Sequence, residues 1–280
     1  MISVDPECPA LAAAFRRRNL RAHLPRGVAG RDPMFRRSGS SFDLKTIREY
    51  APTDDPRSID WRLLGRTDRT FVREYYEEET EGVAFLVDLS GSLSAADRDS
   101  YGSLVLSLGY LCLELGLSLS VHGFSDRPDA AGLRLRGRSG VSELAFWLKS
   151  VEFRGPTDIS RAVRTLRGIS SHRRLFLFSD FQDPGFEPRS VGFPSSFLFH
   201  LRRGFEEIAE GWGEYEVLDP ESGRRILVPW DPAAREAYRR AEEARSEALG
   251  RPRKGLRYFR LSVGEDRAPV YWKVLECLYG

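Results

Sequence analysis

Two uninterrupted apolar runs, each closing on an aspartate, dominate the pattern of hydrophobic and polar positions. Val83-Ala84-Phe85-Leu86-Val87 leads into Asp88, and Leu175-Phe176-Leu177-Phe178 leads through Ser179 into Asp180. Short apolar runs without alternation suit strands buried on both faces, as parallel strands between helix layers are. Leu117 to Phe124, Leu133 to Arg138, Phe193 to His200 and Leu256 to Leu261 read as further strands. Helical spacing separates them. Leu104, Leu108, Leu111 and Leu115 recur at i, i+4, i+7 and i+11 and predict a helix from Arg98 to Leu117. Val141 to Val151, Ile159 to Ile169, Pro232 to Leu249 and Val270 to Tyr279 read as helices as well. Strands alternating with helices predict an α/β fold, a Rossmann-like and mostly parallel sheet with helices on both faces.

The chain before Val83 follows another pattern. Glu7 to Leu20 places Leu11 to Phe15 ahead of Arg16-Arg17-Arg18, a short amphipathic helix whose arginines form a solvated face. Gly27 to Ser41 is rich in Gly, Arg and Ser and reads as a loop. Phe42 to Tyr50 alternates apolar and polar residues like a half-buried strand, Ala51 to Pro56 is a turn, Arg57 to Leu64 a short helix, and Thr70 to Glu77 a returning strand. The expected organisation is an N-terminal helix and loop over 1–35, a small β-containing subdomain over 36–80, and the α/β domain over 81–280. Within the last, Arg202 to Glu210 is a loop or short helix, and Asp219 to Arg224 turns a hairpin between Tyr215–Leu218 and Arg225–Val228.

Composition narrows the function classes. The 280 residues suffice for one large domain or two. Lys and Arg number 43 against 41 Asp and Glu, and a net charge of +2 gives no general pull toward nucleic acid or an anionic membrane. Cys8, Cys112 and Cys277 are scattered without metal-ligand spacing, and Cys112 in its apolar helix reads as a core residue. The N-terminus lacks the basic-then-apolar order of a signal peptide, and an odd cysteine count then fits a reducing cytoplasm. No run of about 18 uncharged apolar residues predicts a membrane span.

The chemistry gathers at the ends of the two apolar runs. Asp88-Leu89-Ser90-Gly91-Ser92 puts one carboxylate and two hydroxyls where a strand gives way to a loop, the place where open α/β sheets bind ligands. Three converging oxygens suit a hard divalent cation, although Asp and Ser also cap helices and shape turns. Arg154-Gly155-Pro156-Thr157-Asp158-Ile159 adds a Thr at a loop-to-helix junction, and Asp180 closes the second strand. This order resembles the metal-ion-dependent adhesion site of von Willebrand factor A domains. The resemblance implies that Ser90, Ser92 and Thr157 touch a cation through hydroxyls while Asp88 and Asp180 act from close by, largely through bound waters. Upstream, Ile47 to Arg62 with Gly65-Arg66-Thr67 and Val72-Arg73-Glu74 resembles the signature of the DUF58 family, whose core is a von Willebrand A-like domain. Thr53 and Pro156 stand where that pattern usually has Gly.

Other candidates have plainer readings. Asp158 caps the helix from Ile159, and Asp183 is a loop residue. Arg48, Asp54, Asp55, Arg57, Asp60 and Arg66 pair opposite charges at close spacing, as a structural ion-pair network or a partner surface would. Trp61 is a packing anchor. The four histidines show no metal-ligand or catalytic spacing. The expected function is a non-catalytic interaction module whose cation, Mg2+ foremost with Mn2+ or Ca2+ as alternatives, is completed by an acidic residue of another protein. The DUF58 resemblance implies an adaptor or co-chaperone for a MoxR-type AAA+ ATPase. The competing reading is a magnesium-dependent, phosphatase-like hydrolase, against which stands the Ser at position 90, where an Asp-x-Asp nucleophile motif needs a second carboxylate.

Overall fold

The computed structural model describes residues 1–22, 44–51, 59–67, 69–75, 82–93, 98–125, 132–202, 209, 211–219 and 223–279. The chain forms two units, one of Met1–Leu24 with Glu81–Gly280 and one of Pro25–Thr80. Helix α1 (Cys8–Ala22) belongs to the larger unit. Its Cys8, Ala12 and Phe15 are buried, and Phe15 meets Trp272 edge-on at 5.8 Å. The arginines expected on a solvated face are partly engaged: Arg16 pairs with the buried Glu114 at 3.0 Å and Arg18 with Glu276 at 2.8 Å.

The smaller unit holds β1 (Leu44–Glu49), α2 (Trp61–Thr67) and β2 (Phe71–Tyr75). The strands pair antiparallel, Ile47 opposite Arg73. The helix expected from Arg57 to Leu64 starts instead at Trp61. Asp60 decides this, because its carboxylate accepts from the backbone N–H of Arg62 at 3.1 Å and of Leu63 at 3.2 Å, an N-cap. Trp61, expected to anchor packing, is 66% exposed; it occupies the first helical position, and Val72 is the buried apolar residue here. Most of the expected turn, residues 52–56, lies outside the described residues.

The larger unit continues with β3 (Gly82–Asp88), α3 (Arg98–Glu114), β4 (Ser118–Phe124), β5 (Leu133–Leu135), α4 (Ser139–Ser150), α5 (Ile159–Ile169), β6 (Arg174–Ser179) and β7 (Ser195–Arg202). It closes with β8 (Gly213–Leu218), β9 (Arg225–Trp230), α6 (Pro232–Gly250), β10 (Leu256–Ser262) and α7 (Ala268–Tyr279). Six strands form one sheet in the order β10-β7-β6-β3-β4-β5, parallel throughout except for the edge strand β5. The hairpin β8–β9 is a separate two-stranded sheet. The architecture is therefore the expected α/β, Rossmann-like one, a mostly parallel sheet with helices on both faces. Strand β5 is shorter than expected because Gly137, with φ 61°, turns the chain toward α4.

Both faces of the sheet are covered. On one, Phe85, Phe176, Phe178, Phe197, Phe199 and Phe259 form an aromatic stripe across β3, β6, β7 and β10, with Phe178 stacked on Phe199 at 4.9 Å. Residues of α1, α3, α4 and α7 pack on that face. On the other, Ala84, Leu86, Leu175, Leu177 and Leu198 meet Ile159, Val163 and Leu166 of α5 and Leu249 of α6. The strand order reverses direction between β3 and β6, so the carboxyl ends of those two strands frame the crevice where such sheets bind ligands.

Candidate functional site

Asp88 and Ser179 arrive at this crevice together. Val87 lies beside Phe178 in the parallel register of β3 and β6, which brings the next residues, Asp88 and Ser179, side by side. Ser179 donates its hydroxyl to Asp88 Oδ2 at 2.6 Å, and the Thr157 hydroxyl donates to the same oxygen at 3.2 Å. The Ser90 backbone N–H donates to Asp88 Oδ1 at 2.9 Å, curling the chain just past the strand. That curl places Ser90 Oγ 3.1 Å from Ser92 Oγ, and Ser92 stands near enough to Asp180 to favour its charge. Of the five residues the sequence proposed as a set, Asp88, Ser90, Ser92 and Thr157 are joined by hydrogen bonds, and Asp180 stands beside them, near enough for its charge to act on Asp88.

Backbone hydrogen bonds hold the three contributing segments. Arg154 N–H donates to the Leu89 carbonyl at 2.8 Å, and Gly91 N–H donates to the Gly155 carbonyl at 2.9 Å. Gly155 takes φ 76°, a conformation that its missing side chain permits just before Pro156. Asp158 caps α5 as expected, accepting from Arg161 N–H at 2.8 Å. Asp183 does more than shape its loop: Oδ2 accepts from the first helical amide, Ile159 N–H, at 3.0 Å. Next to Asp180, Phe181 adopts φ 52°, unusual for a bulky side chain. Its ring is buried against Phe186 and His200 at 5.6 and 5.5 Å, which fixes the strained turn.

The electrostatics follow from this burial. Asp88 is fully buried, and desolvation first, then the charge of Asp180, pushes its pKa up to about 7 against the pull of Ser179 and Ser90. Asp180 is also raised by desolvation, while Ser92, the Gln182 amide and Arg245 act in the opposite sense. Two neighbouring carboxylates with raised pKa values make a site that gains from a cation.

Two participants were not found by sequence reasoning. Ser179 ends the apolar strand β6, and its role follows only from strand register. Arg245 of α6 lies far along the chain; it hydrogen-bonds Gln182 and stands near enough to Asp180 to favour its charge. Among the described residues, no group of three or more His, Cys, Asp and Glu side chains is placed to hold a metal ion.

The second proposed set is only partly described. Asp54, Asp55 and Arg57 lie outside the described residues, and Arg48 contributes its place in β1. Asp60 is the cap of α2, and Arg66 is exposed in the last turn of that helix. His122 and His200 are buried on strands as expected, His200 Nδ1 lying 2.7 Å from the Tyr258 hydroxyl.

Known proteins give the following likenesses. The family model described as "Protein of unknown function DUF58" matches residues 46–248. Uncharacterized proteins of Mycobacterium tuberculosis and Mycobacterium bovis are each 25% identical over a 302-residue alignment, covering 95% of this chain and 89% of the relative. BatB from Bacteroides thetaiotaomicron superposes with a TM-score of 0.44 at 10% identity, over 71% of this chain and 97% of that one. The ArnB paralog VWA2 from Sulfolobus acidocaldarius gives 0.30 at 15% identity, over 44% of this chain and 35% of that one.

Proposed function

The chain belongs to the DUF58 family, and we propose that it is a non-catalytic interaction module whose carboxylate–hydroxyl cluster holds a divalent cation. One observation carries the reading: five oxygen-bearing side chains from three distant segments meet at the switch point of the sheet. Adjacent oxygens around an octahedral Mg2+ with bonds of about 2.1 Å lie about 3.0 Å apart. The Ser90–Ser92 separation of 3.1 Å fits that spacing. Ser90, Ser92 and Thr157 would hold the ion through hydroxyls, with Asp88 and Asp180 behind them. The cation supplies positive charge. Because neutral hydroxyls quench it little, the ion retains attraction for an acidic side chain of a partner.

The partner in this proposal is a protein offering that carboxylate, a MoxR-type AAA+ ATPase in keeping with the DUF58 resemblance, and the setting is the cytoplasm. No helix among the described residues is long and apolar enough to cross a membrane. A hydrolase reading has less support, because position 90 offers a hydroxyl where a phosphoryl-transfer nucleophile motif needs a second carboxylate. The test is retention of a MoxR-type ATPase on the immobilised chain in Mg2+, in chelator and with Asp88→Ala. Loss in both chelator and the variant is expected. Retention unaffected by either would remove cation capture from the proposal.

A further inference from the structure

Toward the amino-terminal ends of the parallel strands, away from Asp88, the larger unit has a cavity of about 340 Å3. Ser118, Ser120 and His122 of β4 line it, with Arg134 and Arg136 at β5 and His172 just before β6. Strand β4 lies inside the sheet, and a strand there is normally apolar on both sides. Leu119 and Val121 obey this, joining the aromatic face. The alternate positions do not. Ser118, Ser120 and His122 are 5%, 7% and 9% exposed, and the buried Ser120 hydroxyl has no hydrogen-bond partner among the described residues. A buried hydroxyl is seldom left so without a ligand or water to satisfy it.

Two glycines make room for the histidine rings that line the cavity. A Cβ at Gly132 would come within 2.1 Å of the His122 ring, and one at Gly82 within 2.3 Å of the His172 ring. Their absence lets both imidazoles lie against backbone. The charges around them share one sign. Burial first, then Arg134, His122 and Arg136, hold the His172 pKa below its ordinary value. Among the described residues, no Asp or Glu lines the cavity to balance them.

We propose that this cavity is an anion site that takes the phosphate group of a small molecule. Guanidinium and imidazole N–H groups supply charge-assisted donors, and the Ser120 hydroxyl gains its missing partner. The site shares no residue with the candidate metal cluster, so either can fail without the other.

Calorimetric titration of the full chain with sulfate, inorganic phosphate and AMP tests it. Sulfate keeps its charge across the range used, so its pH dependence reports on the protein alone. Saturable binding is expected, tighter at about pH 5 than at about pH 8, because His172, held below the usual imidazole range, gains its proton beside the bound anion only at the acid end. Arg134→Gln should weaken sulfate about tenfold or more, and His172→Asn should flatten the pH dependence. Arg134 is exposed, so its variant should keep the wild-type circular dichroism spectrum. Tighter binding of AMP than of phosphate would identify a phosphomonoester; equal affinity would identify the free anion. The proposal is overturned by absence of saturable binding, by affinity unchanged in Arg134→Gln, or by sulfate that leaves the His122 and His172 imidazole resonances unmoved.

Discussion

Asp88 is held by donors yet opposed as a charge. Ser179, Thr157 and the Ser90 amide all direct hydrogens at it, while burial and Asp180 raise its pKa to about 7. In cation-free protein the folded state therefore binds this proton more tightly than the unfolded chain does. Its contribution to stability must fall as pH rises from about 4 to about 7, the reverse of a salt-bridged carboxylate. Glu114, Glu187, Glu236 and Glu276, all lowered by arginine partners, act in the opposite sense at lower pH, so a difference measurement is needed. Asp88→Asn keeps the side-chain shape and removes the charge. In chelator at neutral pH it should unfold later than wild type, by on the order of 1–3 kcal/mol. That advantage should vanish near pH 4 and reverse in Mg2+. Thermal melts across this range check it, and an Asn variant less stable than wild type in chelator at pH 7 would contradict the electrostatic picture. The proposed oxygens were legible because Asp, Ser and Thr ended recognisable strands and loops. Ser179 was not, because its role depends on β3–β6 register, which no local pattern encodes.

At the scale of elements, helix α5 shows what local signals decide. Its bounds, Ile159–Ile169, were legible because Asp158 precedes an apolar face with helical spacing. Helix α2 starts later than the Arg57 to Leu64 pattern suggests, because the Asp60 cap sets its first residue at Trp61. The start of α5 is doubly capped, Asp158 serving Arg161 N–H and Asp183 serving Ile159 N–H. Asp158→Ala and Asp183→Ala should each destabilise the fold by about 1 kcal/mol. Both carboxylates hold the helix that follows Thr157, so their effects should be coupled rather than additive. A double-mutant cycle by denaturant unfolding measures this, and strictly additive losses would show two independent caps. Losing either cap should also weaken cation binding, because Thr157 sits on the loop they anchor.

For the whole molecule, alternation of strands and helices made the α/β class readable, and uninterrupted apolar runs made the central strands readable. Strand order was not, because it depends on which helix layer each crossover covers. The observed order sets β3 beside β6 and so brings positions 88 and 180, far apart in sequence, to one crevice. The aromatic stripe behind them fixes the strands, while the hydroxyls and carboxylates at their tips satisfy one another. The proposed capture of a partner carboxylate depends on those tips accepting an ion. Mn2+ titration of the isotope-labelled chain, read by paramagnetic broadening, is the direct measurement. One Mn2+ per chain should broaden the amides of Ser90, Thr157 and Gln182 first, and Asp88→Asn should abolish the effect. Broadening centred elsewhere, or equal in the variant, would show that this crevice holds no cation.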